Sequence, residues 1–544
     1  MLTRKGVKTV LLFFIFAGAV WFINPFREAA LGDSWTNSLA VRNILLTGNY
    51  RWPAWDYPNP IFLCYWGTFF SKIFGYSFST LHISVLMFSF FGIACFYELC
   101  KEYRLNKIGH LLTLSFYSSF LFVYVSFYFN THLIYVSLFI ASMLFYLKAF
   151  KLKNRLYFFL ASIFCSCAIL TRQFAIVIPL GLLTTWMLDG GGKRDPSDLW
   201  IGLLLPAVAA FYQLIMGLTH PSPLFLYAKA RQAGYFSNPL GIVSDVPWRV
   251  AAILSYLAML TAPLVLMILI HEIGTRRKGE RRLLNLQSGS AWAILFCGAF
   301  MVSALASGYF MKCIPLWMPY LEPTFLVLRE KCTLSTQLGL TCFTLIGGAF
   351  YSFIFVKRLP SVLDENHERH AKLLGWTSLW ALVAQLLFHQ LTDQYLIIFL
   401  PVALISTGLC FENALIRFRK IITGLCILLL LVSAMWTRGA LACLEAGWRG
   451  AETLRQRSVK VDEIYGPCEW NCYYKFDDYL EKKGNRMDSL FLFFRDWERE
   501  QKSTAVYIVS TDACLPGFRV REVEEIKYRD SLLRERKMYI LKKI

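Results

Sequence analysis

Long apolar runs alternate with short polar connections over most of the first 440 residues of the 544-residue chain. Most of these runs approach the roughly 20 residues that an α-helix needs to cross a bilayer. Two of the shorter runs meet around Arg172 and are expected to be broken or tilted helices. The pattern predicts about thirteen membrane-spanning helices, near residues 7–25, 79–97, 110–129, 133–148, 156–171, 174–188, 199–218, 250–270, 291–310, 338–356, 373–390, 395–412 and 421–437.

Hydrophobic residues make up 56% of the chain, which carries 16 Trp, 27 Tyr and 46 Phe. A soluble protein could not bury that much apolar surface, so the sequence indicates a polytopic membrane protein. The net charge of +20 does not indicate a nucleic-acid partner, because the basic residues cluster in short connections between apolar runs. We therefore expect contacts with membrane lipids and none with nucleic acid.

Every second connection is basic, without a break in phase. Cytoplasmic loops of membrane proteins keep an excess of Lys and Arg, so this phase predicts a cytoplasmic N-terminus and an extracytoplasmic C-terminus in the plasma (inner) membrane. The basic connections carry Arg4, Lys5 and Lys8; Lys101, Arg104 and Lys107; Lys148, Lys151, Lys153 and Arg155; Lys193 and Arg194; Arg276, Arg277, Lys278, Arg281 and Arg282; Lys357, Arg358, Arg369 and Lys372; and Arg417, Arg419 and Lys420. The alternate connections are expected to face outward.

The composition changes after residue 440, and charges become dense from Arg449 onward. Residues 506–509 and 538–541 predict short strands, and residues 488–501 predict a helix. We interpret residues 1–440 as a transmembrane domain and residues 441–544 as a small extracytoplasmic α/β domain. Within the latter, Cys468 and Cys472 could form a disulfide if this part lies outside the cytosol.

A polar stretch from Glu28 to Pro60 follows the first apolar run. Asp33 lies near its start and is followed by a helical repeat at three- and four-residue spacing from Trp35 to Leu46, and then by a turn at residues 47–49. An ionisable group at a membrane surface is costly unless it has a function. Two roles stay open for Asp33 at this point: a cap for the helix that begins near Trp35, or a general base.

The order of short motifs in this stretch resembles a known family. An acid just after the first span is followed by A-V-R-N-I-L-L-T-G, P-N-P-I-F-L and I-F-G. This order resembles the start of GT-C membrane glycosyltransferases, similar to protein O-mannosyltransferases and lipid A aminoarabinose transferases, and the resemblance covers roughly residues 1–440. It implies a GT-C-like, all-α polytopic fold and makes Asp33 the expected catalytic residue.

Three cations are candidates for binding a substrate phosphate. Arg172 lies between two apolar runs, where a buried cation needs an anion, and Arg binds phosphate through parallel hydrogen bonds; a snorkelling membrane anchor is the alternative. Lys229 and Arg231 lie in residues 219–249, an expected outward loop that could close over a substrate or simply be solvated.

Five further residues complete the predicted substrate-binding set. Asp56 and Tyr57 lie in an aromatic, proline-rich segment, where Asp56 suits a turn and its neighbours a sugar or lipid pocket. His132 stands in an outer turn where many relatives carry a second acid, so it could handle a proton or be a solvated turn residue. Asp393 and Tyr395 resemble a late motif of the family, although its usual Arg is Gln394 here.

The function that follows from the resemblance is transfer of a sugar from a polyprenyl-phosphate-linked donor to a lipid, glycan or protein acceptor at the extracytoplasmic face. A transporter or flippase of lipid-linked sugars is the alternative, although two similar halves are not evident in the sequence. A binding or scaffold protein is the third interpretation. No cofactor is certain and no metal ligand is named, while a divalent metal stays open.

Overall fold

A computed structural model describes residues 4–50, 55, 60–188, 195–276, 346–351, 354, 369–388, 396–483, 490–515 and 517–544. Helices predominate in these residues. They are α1 Arg4–Ile23, α2 Ser34–Thr47, α3 Ile61–Phe74, α4 Phe78–Glu102, α5 Gly109–Ser118, α6 Phe120–Ser126, α7 Thr131–Leu152, α8 Arg155–Thr171, α9 Val177–Leu188, α10 Pro196–Thr219, α11 Pro223–Phe236, α12 Pro239–Leu260, α13 Ala262–Arg276, α14 Arg369–Leu387, α15 Phe399–Arg417, α16 Arg419–Gln456, α17 Cys468–Lys482 and α18 Leu490–Thr504.

Five of the described helices, α4, α7, α10, α15 and α16, are long and apolar enough to cross a membrane. Two bent pairs also qualify as single crossings: α5 with α6, and parts of α12 and α13. The chain is therefore a multi-pass membrane protein. The total of about thirteen spans stays a prediction, because the runs near residues 291–310 and much of 338–356 lie outside the described residues.

Several predicted spans are interrupted. The run at 110–129 forms two helices bent by 64°, because Ser119 adopts an extended backbone between them and its hydroxyl accepts the N–H of Phe122. The expected break around residue 172 is confirmed: α8 ends at Thr171, Arg172 is extended, and a 3₁₀ helix at Gln173–Ile176 leads into α9.

Residues 219–249 were expected to form an outward loop, but the segment is helical, because α11 and the first half of α12 occupy it; its outward orientation stays a prediction. Ser222 and Asn238 cap these two helices with their side chains, and each is followed by a proline at the first helical position. Proline is well suited to that position because its missing N–H has no partner there anyway. Helix α3 was also not expected from the sequence.

The C-terminal region combines a sheet with two helices. Its four strands are β1 Ile464–Tyr465, β2 Tyr507–Ser510, β3 Val520–Arg529 and β4 Glu535–Lys543, in the order β1-β2-β4-β3. β1 pairs with β2 in parallel, whereas β4 is antiparallel to both β2 and β3. The two strands and the helix predicted for this region match β2, β4 and α18, while β1, β3 and α17 were not expected.

The C-terminal region shares a hydrophobic core with the beginning of the chain. This second core, separate from the one between the membrane helices, contains Ala29, Ala30 and Trp35 together with Trp470 and Phe476. Helix α16 leads into it without interruption, since it runs from Arg419 to Gln456. The stretch that carries the candidate acid and the C-terminal sheet-and-helix unit are therefore packed together on one side of the membrane helices.

Candidate active site around Asp33

The connection between α1 and α2 is anchored by two charged side chains. Arg27 is buried and donates from Nη1 to Glu445 Oε2 of α16 at 2.6 Å. The carboxylate of Glu28 accepts the backbone N–H groups of Phe78 at 3.0 Å and Ser79 at 3.2 Å, at the start of α4. These contacts fix the chain just before the candidate acid.

The last turn before α2 rests on the connection between α6 and α7. Gly32 has φ +45°, and a Cβ on it would lie 2.4 Å from the hydroxyl of Tyr128. That hydroxyl accepts the backbone N–H of Asp33 at 2.6 Å. The side-chain amide of Asn37 donates to the carbonyl of Phe129 at 3.0 Å. Glycine at position 32 thus permits both the left-handed backbone and the close approach of the tyrosine.

Asp33 occupies the N-cap position of α2, but its carboxylate does not cap the helix. An N-cap aspartate ordinarily accepts the backbone N–H of the second or third helical residue. Instead, Asp33 Oδ1 accepts the indole N–H of Trp55 at 3.1 Å. Of the two roles left open by the sequence, capping is therefore not the one seen in the structure.

The surroundings of Asp33 favour a proton-accepting group. Burial raises the pKa of the Asp33 carboxyl, whereas the Trp55 indole, the charge of Arg172 and the Tyr128 hydroxyl act in the opposite direction. A carboxylate with a raised pKa holds a proton more strongly than an ordinary aspartate, which is useful in a general base. Asp33 as a residue is half-buried and not fully enclosed, as a group that must reach a substrate requires.

Arg172 and His132, two of the predicted site residues, are brought together. Arg172 is 5% exposed and His132 is 4% exposed. Arg172 Nη1 donates to Thr131 Oγ1 at 3.1 Å and lies 2.6 Å from His132 Nδ1. Asn130 caps α7 by accepting the backbone N–H of His132 at 3.2 Å. The guanidinium is therefore buried among polar groups of the start of α7, and the histidine is not solvated.

Helix α17 of the C-terminal unit covers this side of the site. The ring of Phe476 lies 5.4 Å from that of Trp35 and meets Trp55 edge-on at 5.6 Å. One helical turn earlier, the hydroxyl of Tyr473 is 3.4 Å from that of Tyr76. The indole that contacts the candidate acid is thus packed against a residue that is far away in the sequence.

Lys229 and Arg231 are both exposed on α11, where the Arg231 guanidinium lies 6.0 Å from the ring of Tyr227. Tyr227 packs against the second core, so α11 borders the covered side of the site. Within the described part of the chain, neither cation forms an ion pair with Asp33. Asp56, Tyr57, Asp393 and Tyr395, the remaining predicted residues, lie outside the described residues.

The described residues do not fit a divalent metal ion at Asp33. No group of three or more His, Cys, Asp or Glu side chains converges within them. The carboxylate already accepts the Trp55 indole and lies within the field of the Arg172 guanidinium, which would repel a cation.

Sequence reasoning missed three residues that shape the site: Tyr128, Trp55 and Phe476. Trp55 had a weak signal, because its aromatic segment was expected to line a pocket. Tyr128 precedes the predicted turn at residues 130–132, and nothing in the pattern distinguishes it from other aromatic residues in apolar runs. Phe476 had no signal, since the C-terminal region contains no recognised active-site motif.

Comparison with solved structures finds proteins whose backbone follows a similar path. ArnT from Cupriavidus metallidurans in the apo state is 13% identical, with a TM-score of 0.49 over 98% of this chain and 97% of that one. ArnT from the same organism bound to undecaprenyl phosphate is 14% identical, with a TM-score of 0.45 over 98% of each chain. The archaeal oligosaccharyltransferase AglB from Archaeoglobus fulgidus, in complex with an inhibitory peptide and a dolichol-phosphate, is 13% identical, with a TM-score of 0.42 over 92% of this chain and 69% of that one.

No protein-family profile and no curated protein matches the sequence. Both kinds of solved structure are of the GT-C type, the type that the sequence motifs resemble. Because each of these three TM-scores is below 0.5, the similarity assigns neither a family nor a site residue to the chain.

Proposed function

We propose that this protein transfers a sugar from a polyprenyl-phosphate-linked donor to a lipid, glycan or protein acceptor at the extracytoplasmic membrane face. The observation that carries the proposal is the environment of Asp33. The carboxylate occupies an N-cap position without capping, is held by Trp55 at 3.1 Å, and interacts with the charge of the buried Arg172. A base and a cation on one side of a membrane domain suit the transfer of a sugar from a lipid phosphate to an acceptor hydroxyl or amine.

In the proposed reaction, Asp33 takes the proton of the acceptor hydroxyl or amine. The freed electron pair forms a bond to the anomeric carbon of the sugar, and the bond between that carbon and the donor phosphate oxygen breaks. The polyprenyl phosphate leaves with the bonding electrons and one more negative charge. Arg172, supported by Thr131 and His132, stabilises that charge through its guanidinium.

The packing of the chain supports the proposed orientation. If the N-terminus is cytoplasmic, α1 delivers the connection with Asp33 to the extracytoplasmic face. That connection shares the second core with the C-terminal unit, which puts both on the same side, in agreement with the phase of the basic connections. A reporter that is active only outside the cytoplasm should work when fused after Ile544 and be silent after Lys278; the reverse pattern would overturn the orientation and the side of the site.

Mass spectrometry of envelope glycans and glycolipids, with and without the protein, identifies the acceptor and the added sugar. The purified protein is then supplied with the polyprenyl-phosphate-linked form of that sugar and with the acceptor. Product formation is followed for the wild type and Asp33→Asn. We expect a loss of at least about a hundredfold, typical of removing a general base, with normal membrane insertion. Asp512→Asn, a change of the same kind at an exposed position after β2, is the control.

The same assay separates the proposal from transport. A flippase would move the lipid-linked sugar across vesicle membranes without a new glycosidic bond, and a scaffold would do neither. Near-normal turnover by purified Asp33→Asn, or movement of the donor without any product, would contradict the proposed reaction.

A further inference from the structure

Two cysteines lie side by side in the helix that covers the candidate site. Cys468 and Cys472 belong to the first two turns of α17, and their sulfur atoms are 3.9 Å apart. Cys468 is exposed to solvent, whereas Cys472 is 4% exposed. Both are free thiols in this structure. The pair thus combines one accessible thiol with one protected thiol at nearly van der Waals separation.

The backbone between the two residues allows a covalent bond once the start of α17 adjusts. Residues four apart in an α-helix are separated by about 6 Å along the axis, from a rise of roughly 1.5 Å per residue, which lies within the range of about 4.4–6.8 Å between the Cα atoms of a disulfide. Their Cβ atoms are about 5–6 Å apart in a regular helix, whereas a disulfide holds them at roughly 3.5–4.5 Å. Closing the bond therefore draws the two side chains together and tightens the first turn of α17.

We propose that Cys468 and Cys472 are a redox-active dithiol that closes to a disulfide on the α17 helix, next to Asp33. The oxidant is a disulfide, either a thiol–disulfide exchange protein or a small disulfide such as oxidised glutathione. Oxidising compartments outside the cytosol supply such partners. The inference rests on the geometry of the cysteine pair and does not depend on the proposed sugar transfer.

The exchange proceeds in two balanced steps. The thiolate of Cys468 attacks one sulfur of the oxidant, so that a mixed disulfide forms and the other half of the oxidant leaves as a thiol. Cys472 then loses its proton and attacks the Cys468 sulfur, which releases the second half as a thiol. Two electrons and two protons pass to the oxidant in total. Burial raises the pKa of the Cys472 thiol, so it is the resolving rather than the attacking group.

The location of the pair connects it to the candidate site. Cys472 is close enough to Asp33 for their charges to interact. Phe476 follows one turn later and packs against Trp55, which donates to Asp33. A covalent link across the start of α17 would constrain the helix that lies over the carboxylate.

The test uses the full-length protein in its membranes, equilibrated with oxidised or reduced glutathione and then treated with N-ethylmaleimide. Trypsin releases residues 461–475, a peptide that contains both cysteines of the pair and no other. We expect this peptide to carry N-ethylmaleimide after reduction. After oxidation it should carry none and weigh two hydrogen atoms less than the dithiol form. The exposed Cys514, which lies on another peptide, reports general thiol oxidation.

Two variants make the result decisive. In Cys472→Ser the exposed Cys468 lacks its resolving partner and should accumulate as a mixed disulfide with glutathione. In Cys468→Ser the buried Cys472 should stay reduced and should be alkylated only after denaturation. If wild-type Cys468 retained glutathione to the same extent as in Cys472→Ser, or if both cysteines were alkylated after oxidation, the proposal would be wrong.

Discussion

The indole N–H of Trp55 donates to Oδ1 of Asp33 at 3.1 Å. This bond joins the connection before α2 to the segment that follows α2, and it replaces the capping bond that an aspartate at this position would ordinarily make. Since the indole donates to the charged carboxylate, it lowers the pKa that burial has raised. Trp55 therefore helps to set the pH range in which Asp33 can accept a proton.

Replacement of Trp55 by phenylalanine should shift this range. The ring can still pack against Phe476, but the N–H donor is lost. A hydrogen bond to a charged group is worth about 1.5–3 kcal/mol, so losing the indole donor should raise the pKa of Asp33 further. The acidic limb of the activity profile should therefore move upward in pH. Trp21→Phe, at a side chain that is 81% exposed, is the control; an unmoved acidic limb in Trp55→Phe would exclude this role.

Gly32→Ala should disturb the position of Asp33. The residue has φ +45°, which costs an L-residue roughly 1–2 kcal/mol, and the new Cβ would lie 2.4 Å from the Tyr128 hydroxyl. We expect a lower unfolding temperature and a loss of transfer, because the tyrosine must move away from the Asp33 backbone. The matched control is Gly18→Ala in α1, where a Cβ meets no atom within 4 Å. Equal stability and activity in both variants would show that the turn tolerates a side chain.

Sequence reasoning predicted the elements that are encoded by residues within or next to the element itself. Helix α2 follows from its repeat at three- and four-residue spacing and from Gly48, which adopts a left-handed backbone just after the last helical residue. The break at Arg172 follows from two apolar runs that are each too short for a crossing. In both cases the information lies within a few residues of the feature, so one sequence is sufficient.

The features that sequence reasoning missed depend on contacts between distant segments. The bond between Tyr128 and the Asp33 backbone spans 95 positions, and Phe476 reaches the site from the C-terminal unit. Apolar periodicity shows that such residues are buried, but it does not identify the residues against which they pack. The prediction for segment 219–249 failed for another reason, because its polar content suggested a loop while two Pro-initiated helices were encoded locally.

Lys475 should give the C-terminal unit a distinctive pH dependence. It is 3% exposed and donates to the carbonyl of Ile464 and, at 2.9 Å, to Gln501 Oε1. Burial lowers its pKa to about 8 from an ordinary value of 10.5. Between these values the unfolded chain binds more protons than the folded one, so the free energy of unfolding should rise with pH and be constant below about pH 8.

Thermal unfolding of the detergent-solubilised protein between about pH 7 and pH 10 measures this effect. Lys475→Met removes the titrating group, so the free energy of unfolding should rise less steeply with pH. The variant should also be less stable at every pH, because two acceptors lose their donor. The difference between wild type and variant isolates Lys475 from other groups that titrate in this range. Parallel curves would mean that the lysine does not change protonation on unfolding.

Arg172 provides the sharpest test of phosphate binding. If its guanidinium binds the donor phosphate, the planar fork matters as well as the charge, so Arg172→Lys should weaken donor use and Arg172→Gln should weaken it further. A charge-assisted hydrogen bond is worth roughly 1.5–3 kcal/mol, which corresponds to about a ten- to hundredfold loss in donor affinity or turnover. Arg155→Lys, at the exposed other end of α8, controls for loss of an arginine. Unchanged donor dependence in a well-inserted Arg172→Gln would remove Arg172 from the site and leave Lys229 and Arg231 as the phosphate candidates.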